Sequence, residues 1–269
     1  MTDTLDLGAY FERIRWGGAA RPRYEVLAGI IRAHMTAIPF ENLDVLLGRN
    51  VRLDVAGLQD KLVRARRGGY CFEHAMLFAA VLERLGFHPV RHSARVILFA
   101  SPTTSPRGHM FLTVRLAEGR FVVDVGFGAQ SPPFPVPLLE DEQQRADDTT
   151  HWMARDADFW ILRTKADGKT ISGWVSTLEQ DNAVDFEMAN HYIATHPASP
   201  FVNRMLLCAR TEHGRVTAMN RDVTIWRGNR SNASQLADRA ALRALLVAHF
   251  GFDLPEVERL RVPSIEAWT

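Results

Sequence analysis

Cys71 is the residue of this sequence whose position is best suited to chemistry. It follows Gly68, Gly69 and Tyr70 and starts a segment in which apolar residues recur at helical spacing, so it is predicted to lie in the first turn of a helix. Adjacent glycines let the backbone approach another group closely. The N-terminus of a helix stabilises an anion, which favours the nucleophilic thiolate form of cysteine. The competing interpretation is a buried, unreactive cysteine on an apolar helix.

A nucleophilic cysteine needs a base and a group that orients the base, and the sequence offers both. His109 lies where a loop that ends in Gly108 enters the strand-like segment Met110–Leu116. Asp124 interrupts an apolar run, where a carboxylate costs free energy unless it is paired or hydrogen-bonded. Together with Cys71, these two residues form a candidate set for nucleophilic acyl chemistry.

The spacing of His109 and Asp124 also predicts how they are placed in a β-hairpin. A turn within Ala117–Arg120 without a bulge puts Asp124 opposite Thr113, on the same face of the sheet as His109. Along the strand the two side chains are then roughly 13 Å apart. The shared face supports a catalytic triad, whereas contact between the two side chains requires a shifted turn or a bulge.

The other cysteine and histidines carry weaker signals. Cys208 lies in a strand-like segment without a preceding glycine loop and is predicted to belong to the core. His74 is within helical reach of Cys71 and could tune the thiol, but its predicted place is the partly exposed surface. His191 and His196 lack the i, i+4 spacing of a helical metal pair, so no metal site is predicted. The sequence contains neither a Walker loop nor a dinucleotide-binding fingerprint.

Composition narrows the class of function. The 269 residues include 32 Lys and Arg against 31 Asp and Glu, a net charge of +1 without a basic block. This balance argues against nucleic-acid and anionic-membrane partners. Two cysteines cannot form a disulfide framework and the N-terminus shows no apolar targeting segment, so a cytoplasmic protein is expected. The composition predicts no particular oligomeric state.

Three segments with different periodicity must position these residues. Residues 1–86 have apolar residues at helical spacing and predict a helical bundle. Residues 87–190 alternate with a period of two and predict an antiparallel β-domain, with Trp152–Arg163 as one of its strands. Residues 191–269 mix strands with an amphipathic helix that is predicted to start at Ser234. The predicted fold class is therefore α+β.

The motifs around the candidate residues resemble those of the arylamine N-acetyltransferase family. The matching segments are Arg67–Glu73, His109, Asp124–Gly128, Ile38–Asp44 and Thr195–Phe201, and the resemblance covers nearly the whole chain. It implies an N-terminal helical bundle, an antiparallel β-barrel and a C-terminal α/β lid around a cysteine-protease-like Cys-His-Asp core. It also implies a structural ion pair between Glu41 and Arg67.

The resemblance implies a transferase of xenobiotic metabolism that works by a ping-pong mechanism without a metal. Acetyl-CoA is the implied donor, and arylamines, arylhydrazines or N-hydroxyarylamines are the implied acceptors. Carried over to this sequence, the catalytic residues are Cys71, His109 and Asp124. The residues implied near the acceptor are Phe40, Phe127 and Phe201, and those near the coenzyme A are Gly108, Gly126 and Gly128.

The sequence departs from the family pattern at three positions. Ala75 stands where many relatives carry asparagine, Ala129 replaces a frequent glycine, and Trp226 stands where some bacterial relatives have a histidine near coenzyme A. These changes leave the triad intact. They leave open the contacts to coenzyme A, the preferred acyl chain and the physiological acceptor.

Three other functions share part of the pattern. An amide synthase that closes a macrolactam has the same triad but does not need acetyl-CoA. A thiol hydrolase has the same order of residues, but papain-like enzymes separate the cysteine and histidine by roughly 130 residues, far more than separate Cys71 and His109. A non-catalytic binder of aromatic ligands does not need the triad, so the intact set favours an enzyme.

Overall fold

The computed structural model of the chain describes residues 5–98, 100–146, 148–166, 168–211, 214–228, 230–265 and 268. The helices are α1 (Leu7–Ile14), α2 (Tyr24–Ala37), α3 (Leu43–Leu46), α4 (Val55–Leu58), α5 (Cys71–Arg84), α6 (Ala183–Thr195), α7 (Pro200–Asn203) and α8 (Arg239–Leu245). The strands are β1 (Phe40–Glu41), β2 (Val90–Val96), β3 (His109–Leu116), β4 (Gly119–Val123), β5 (Val136–Pro137), β6 (Gln144–Ala146), β7 (Thr149–Asp156), β8 (Phe159–Ala166), β9 (Lys169–Ser176), β10 (Leu206–Thr211), β11 (Gly214–Met219), β12 (Asp222–Arg227) and β13 (Arg230–Gln235). Helices α4 and α8 continue as π-helical segments over Gln59–Arg64 and Leu246–Phe250. No helix in these described ranges is long and apolar enough to cross a membrane.

Helices α1, α2, α4 and α5 pack around one apolar core. On α2 the buried residues recur at helical spacing, because Val26, Leu27, Ile30 and Ile31 occupy one stripe that faces the other helices. Helix α5 is buried along most of its length, and its apolar residues contribute much of this core. A buried helix leaves little freedom to its first residue, so the packing of α5 determines where Cys71 lies.

Two antiparallel sheets follow the helices. The first has the strand order β5-β4-β3-β2-β9-β8-β7-β6, and β5 also contacts β7, so this sheet curls into a nearly closed barrel. The second has the order β1-β10-β11-β12-β13, with α8 packed against it in a separate apolar cluster. Strand β1 lies in the segment predicted to be helical and pairs Phe40 with Cys208. The α+β class with an antiparallel barrel is confirmed.

The β3–β4 hairpin brings His109 and Asp124 closer than predicted. Its turn is Ala117–Glu118, one residue earlier than assumed, because Gly119 already belongs to β4. Leu116 therefore pairs with Gly119, and the pairing shifts by two residues along the strand. Asp124 comes level with Phe111 instead of Thr113, two residues nearer to His109 and still on the same face.

Two predictions, one for a strand of the barrel and one for the start of the last helix, are wrong in detail. Residues Trp152–Arg163 do not form one strand, because the chain turns between Asp156 and Phe159 and pairs β7 with β8. Ala157 adopts a φ of 49° in this turn, a left-handed conformation that its residue type does not signal. Ser234 lies in β13, and the N-cap of α8 is Asp238, whose carboxylate accepts the Ala241 N–H at 2.7 Å.

A buried cluster of opposite charges connects the segments that precede α5. Arg67 donates to Glu41 at 2.6 Å and to Asp44 at 2.7 Å, so the ion pair implied by the resemblance is present. Lys61 lies 2.8 Å from Asp44 and 2.7 Å from Glu73 in the first turn of α5. Burial raises the pKa of Asp44, but Lys61 and Arg67 outweigh it and lower this pKa to about 2. The cluster joins α3, the segment after α4 and the start of α5.

Asp44→Asn is expected to destabilise the fold in a pH-dependent way. The folded pKa of about 2 lies below the unfolded value of about 3.9, so the stabilisation is full above that value and is lost as the pH falls towards 2. We expect the free energy of unfolding in urea to fall by about 2 kcal/mol at pH 7, with a smaller difference from wild type at pH 3.

Asp60→Asn is the matched control, because the Asp60–Arg64 pair is more than half exposed on both sides. This control is expected to change the free energy of unfolding by less than about 0.5 kcal/mol. An Asp44→Asn difference that is the same at pH 7 and pH 3 contradicts the prediction.

Candidate active site

Cys71 is the first residue of α5 and its side chain is buried. The helix start is fixed by Glu73, whose carboxylate accepts the backbone N–H of Tyr70 at 3.1 Å. The Sγ atom of Cys71 lies 3.8 Å from the carbonyl oxygen of Gly108, directly before β3. Gly126 lies in the loop that follows β4. A Cβ on this residue would lie 2.8 Å from the Cα of Cys71, so only glycine allows the loop to pack against the cysteine backbone.

His109 and Asp124 are in direct contact next to this cysteine. His109 Nε2 donates to Asp124 Oδ2 at 2.8 Å, and both side chains are buried. Because Nε2 is engaged by the carboxylate, Nδ1 is the ring nitrogen left for the thiol. Burial by itself lowers the pKa of His109, but the Asp124 carboxylate and the interaction with Cys71 outweigh it and raise this pKa to about 10. The imidazole is therefore held as an imidazolium at neutral pH.

Asp124 is held by two further donors, one of which the sequence did not indicate. Its Oδ1 accepts the backbone N–H of Gly126 at 3.2 Å, and its Oδ2 accepts the indole N–H of Trp174 at 2.8 Å. Trp174 on β9 is fully buried and stacks on Phe111 with 4.2 Å between ring centroids. No local pattern marks Trp174, because its contact with Asp124 depends on the pairing of β2 with β9 in the barrel.

Cys71 and His109 open onto a cavity of about 490 Å³ between the barrel and the second sheet. The residues predicted for the acceptor and for coenzyme A all line it, and these are Phe40, Phe127, Phe201, Gly108, Gly126 and Gly128. Ala129 and Cys208 also line the cavity, so the predicted core cysteine is buried but faces the same space as Cys71. Trp226 lies on β12, where the guanidinium of Arg215 is 4.5 Å from its ring centroid. We refer to this cavity below as the cleft.

The three phenylalanines are each held by the surrounding structure. Phe127 packs on His109 with 4.9 Å between ring centroids, and a Cβ on Gly173 would lie 2.7 Å from the Phe127 ring. Phe40 and Phe201 contact each other across the cleft, with 6.3 Å between centroids. Apolar walls of this kind suit a flat aromatic ligand.

The prediction of a partly exposed His74 is wrong. The side chain is 1% exposed and contacts His34 and the Pro39 carbonyl oxygen. Burial lowers the pKa of His74 to about 4, so this histidine is neutral at physiological pH. Helical spacing placed it on α5 but could not reveal that α2 covers it. Within the described ranges, no group of three or more His, Cys, Asp and Glu side chains could hold a metal ion.

Trp174→Phe is expected to lower the reactivity of Cys71. Phenylalanine keeps the stacking on Phe111 but removes the indole N–H that Asp124 accepts, so the carboxylate is held less firmly against His109. We expect the alkylation rate of Cys71 by iodoacetamide at pH 7 to fall about tenfold, which corresponds to about 1.4 kcal/mol. Trp152→Phe, the same change at another buried barrel tryptophan, is the control. Equal rates for both folded variants contradict the role of Trp174.

Comparison with known proteins places the chain in a family. The N-acetyltransferase family profile matches residues 24–259. The chain is 35% identical over 254 residues to the arylamine N-acetyltransferase of Escherichia coli strain K12, covering 94% of this chain and 90% of that protein. It is 34% identical over 257 residues to the arylamine N-acetyltransferase / N-hydroxyarylamine O-acetyltransferase of Salmonella typhimurium, covering 95% of this chain and 92% of that protein.

The fold agrees with this assignment. It matches the structure of the Mycobacterium marinum arylamine N-acetyltransferase in complex with CoA, with a TM-score of 0.89 and 33% identity over 94% of each chain. The residues matched by the family profile include all strands of both sheets and helix α8. The chain is therefore an enzyme of the arylamine N-acetyltransferase family.

Proposed function

We propose that this enzyme transfers the acetyl group of acetyl-CoA to the nitrogen of arylamines and arylhydrazines, or to the oxygen of N-hydroxyarylamines, through an acetyl-Cys71 intermediate. The observation that carries the proposal is the contact of His109 with Asp124 beside Cys71, where Cys71 and His109 line an apolar cleft. The names of the E. coli and Salmonella relatives support arylamines and N-hydroxyarylamines as acceptors. The CoA in the M. marinum structure supports the donor.

In the first half-reaction, the thiolate of Cys71 attacks the thioester carbonyl of acetyl-CoA. A bond forms between Sγ and the acetyl carbon, and the bond from that carbon to the coenzyme A sulfur breaks. The His109 imidazolium gives its proton to the departing thiolate of coenzyme A. This step leaves acetyl-Cys71, a neutral His109 and free coenzyme A. His109 carries the proton for this step at neutral pH because its pKa is raised.

In the second half-reaction, the arylamine nitrogen attacks the acetyl carbon of acetyl-Cys71. Neutral His109 takes a proton from the amine, and the bond from the acetyl carbon to Sγ breaks to restore the thiolate. Arylamines suit this step because they are neutral nucleophiles at pH 7, unlike protonated alkylamines. The imidazolium and the thiolate are then ready for the next acetyl-CoA.

Asp124 orients the imidazole in both steps. Because Asp124 Oδ2 accepts a hydrogen bond from Nε2–H, the other nitrogen of His109 is the one that exchanges a proton with the reacting groups. The negative charge also stabilises the imidazolium. A first-turn N–H has no acceptor within its own helix, so the backbone N–H of Cys71 is available to the oxyanion that forms on the acetyl oxygen.

The cleft supplies binding rather than chemistry. Phe40, Phe127 and Phe201 offer apolar faces to the aromatic ring of the acceptor. Gly128 has a φ of 60°, which glycine adopts without strain, and its missing side chain leaves space beside Phe40. Both cysteines are free thiols, which supports a reducing, cytoplasmic setting.

Incubation with acetyl-CoA without an acceptor is expected to add one acetyl group to the intact protein. Peptide mapping should place the group on Cys71 and leave Cys208 unmodified, because Cys208 has no paired base among the described residues and burial raises its thiol pKa. Addition of an arylamine should remove the group and yield the N-acetyl product.

The Cys71→Ala variant is the control and should gain no acetyl group. Acetyl-CoA turnover by this variant at the wild-type rate contradicts the mechanism. Rapid release of acetate by the wild type without any acceptor supports a thiol hydrolase instead.

Asp124→Asn is expected to lower turnover by several orders of magnitude. The amide can still accept one hydrogen bond but cannot stabilise an imidazolium, so His109 loses the charge that raises its pKa. The corresponding change in a serine protease triad costs about 10⁴ in turnover. Asp156→Asn, at an exposed barrel position, is the control. A folded Asp124→Asn protein within about tenfold of wild type, or about 1.4 kcal/mol in barrier, removes Asp124 from the mechanism.

A further inference from the structure

Three buried polar side chains of the helical bundle form a chain of hydrogen bonds that acetyl transfer does not use. The hydroxyl of Tyr10 on α1 lies 2.9 Å from His34 Nδ1, and His34 Nε2 on α2 lies 2.8 Å from His74 Nδ1. His74 Nε2 on α5 lies 3.2 Å from the carbonyl oxygen of Pro39. Each of the three side chains is at most 1% exposed, so water does not compete for these bonds.

The Pro39 carbonyl oxygen determines which atom donates in each of these hydrogen bonds. A carbonyl oxygen only accepts, so His74 Nε2 carries a proton and donates it to Pro39. His74 is neutral because burial lowers its pKa, so its Nδ1 has no proton and accepts from His34 Nε2. His34 is neutral for the same reason, and its Nδ1 accepts from the Tyr10 hydroxyl. Each nitrogen of the two imidazoles then has a hydrogen-bond partner.

The series of hydrogen bonds ends at the backbone segment that carries Phe40, one wall of the cleft. The Pro39 oxygen also accepts the N–H of Gly69 at 3.2 Å, two residues before Cys71. The next residue, Phe40, lines the cleft. Its ring is nearly parallel to the imidazole of His74, with 6.4 Å between centroids and 11° between planes. His74 therefore supports Phe40 both through the peptide before it and through its ring.

We propose that His74, oriented by His34 and Tyr10, is a positioning residue that sets the place of Phe40 and thereby the selectivity of the cleft for aromatic acceptors. The proposal rests on the proposed function, because that function assigns Phe40 to the acceptor. Burying two imidazoles costs desolvation that apolar side chains avoid, so the chain is a poor device for stability alone. The hydrogen-bonded series instead fixes His74 in one orientation, in which it donates to the Pro39 oxygen.

The effect is confined to the acceptor half-reaction. His109 and Asp124 are held by the barrel, and the helix start at Cys71 is held by Glu73 and by the backbone bonds of Gly69 to Pro39 and Glu41, so these supports remain when the side chain of His74 is replaced. Loss of the bond from His74 to Pro39 frees the wall of the cleft and leaves the nucleophile in place. This separation distinguishes a positioning role from a general loss of structure.

The kinetic test compares His74→Leu with His74→Gln in separate half-reactions. Leucine removes both hydrogen bonds, whereas the glutamine amide can accept from His34 and donate to Pro39. For His74→Leu we expect the KM for the arylamine to rise about tenfold, with acetylation of Cys71 within about threefold of wild type. His74→Gln is expected to restore most of the KM. Equal losses in both half-reactions overturn the proposal, because they indicate a structural defect.

A second test does not depend on acetyl transfer. Iodoacetanilide carries an aromatic ring and iodoacetamide does not, so the ratio of their alkylation rates at Cys71 measures how the cleft receives a ring. We expect this ratio to fall about fivefold in His74→Leu and to be retained in His74→Gln. If no arylamine is acetylated by the wild type, the proposed function fails, while this ratio still decides the role of His74.

Tyr10→Phe tests the chain from its far end and keeps the proposal falsifiable if His74→Leu does not fold. It removes the donor that orients His34, so the ratio should move in the same direction by about twofold. Nitrogen-15 NMR should show a protonated Nε2 and an unprotonated Nδ1 on His74 in the wild type. His151→Leu is the matched control, because this buried histidine bonds only to Thr149 and Thr164 among the described residues. An unchanged ratio in Tyr10→Phe, or the opposite tautomer, overturns the proposal.

Discussion

The buried hydrogen bond between His109 Nε2 and Asp124 Oδ2 is the contact on which the rest of the site depends. An imidazolium and a carboxylate are costly inside a protein unless they satisfy each other, so the surrounding structure must keep them together. Three parts of the barrel do so. The β3–β4 hairpin sets the distance, Gly126 donates to one carboxylate oxygen, and Trp174 donates to the other from β9.

The cysteine is brought to this pair from the other side, by the helical bundle. Lys61 links Asp44 to Glu73, and Glu73 in turn accepts the N–H of Tyr70 at the start of α5. The site therefore lies where the helical bundle packs on β3 and β4 of the barrel, which contribute to the same apolar core, and the missing side chain of Gly126 lets the loop after β4 approach Cys71. This arrangement explains why charges are concentrated at the helix start whereas the cleft itself is apolar.

Local sequence patterns determined the parts of this site that depend on one element at a time. Cys71 at a helix start, His109 at a strand start and Asp124 in an apolar run that includes β4 were all identified from residue type and spacing. Helix α5 begins at Cys71 as predicted, and the predicted strand-like segment Met110–Leu116 lies within β3, because amphipathic periodicity is a local property. The shared face of His109 and Asp124 also followed from the period of two in a strand.

The tertiary structure decided everything that depends on what packs against an element. The hairpin turns one residue earlier than assumed, which brings Asp124 two residues nearer to His109 along the sheet, and the two side chains span the remaining distance. His74 is buried because α2 covers it, and Trp174 reaches Asp124 because the barrel pairs β2 with β9. Residue type and periodicity specify a face of a helix or strand. Which partner covers that face is set by contacts between residues far apart in the chain, and a single sequence does not encode these locally.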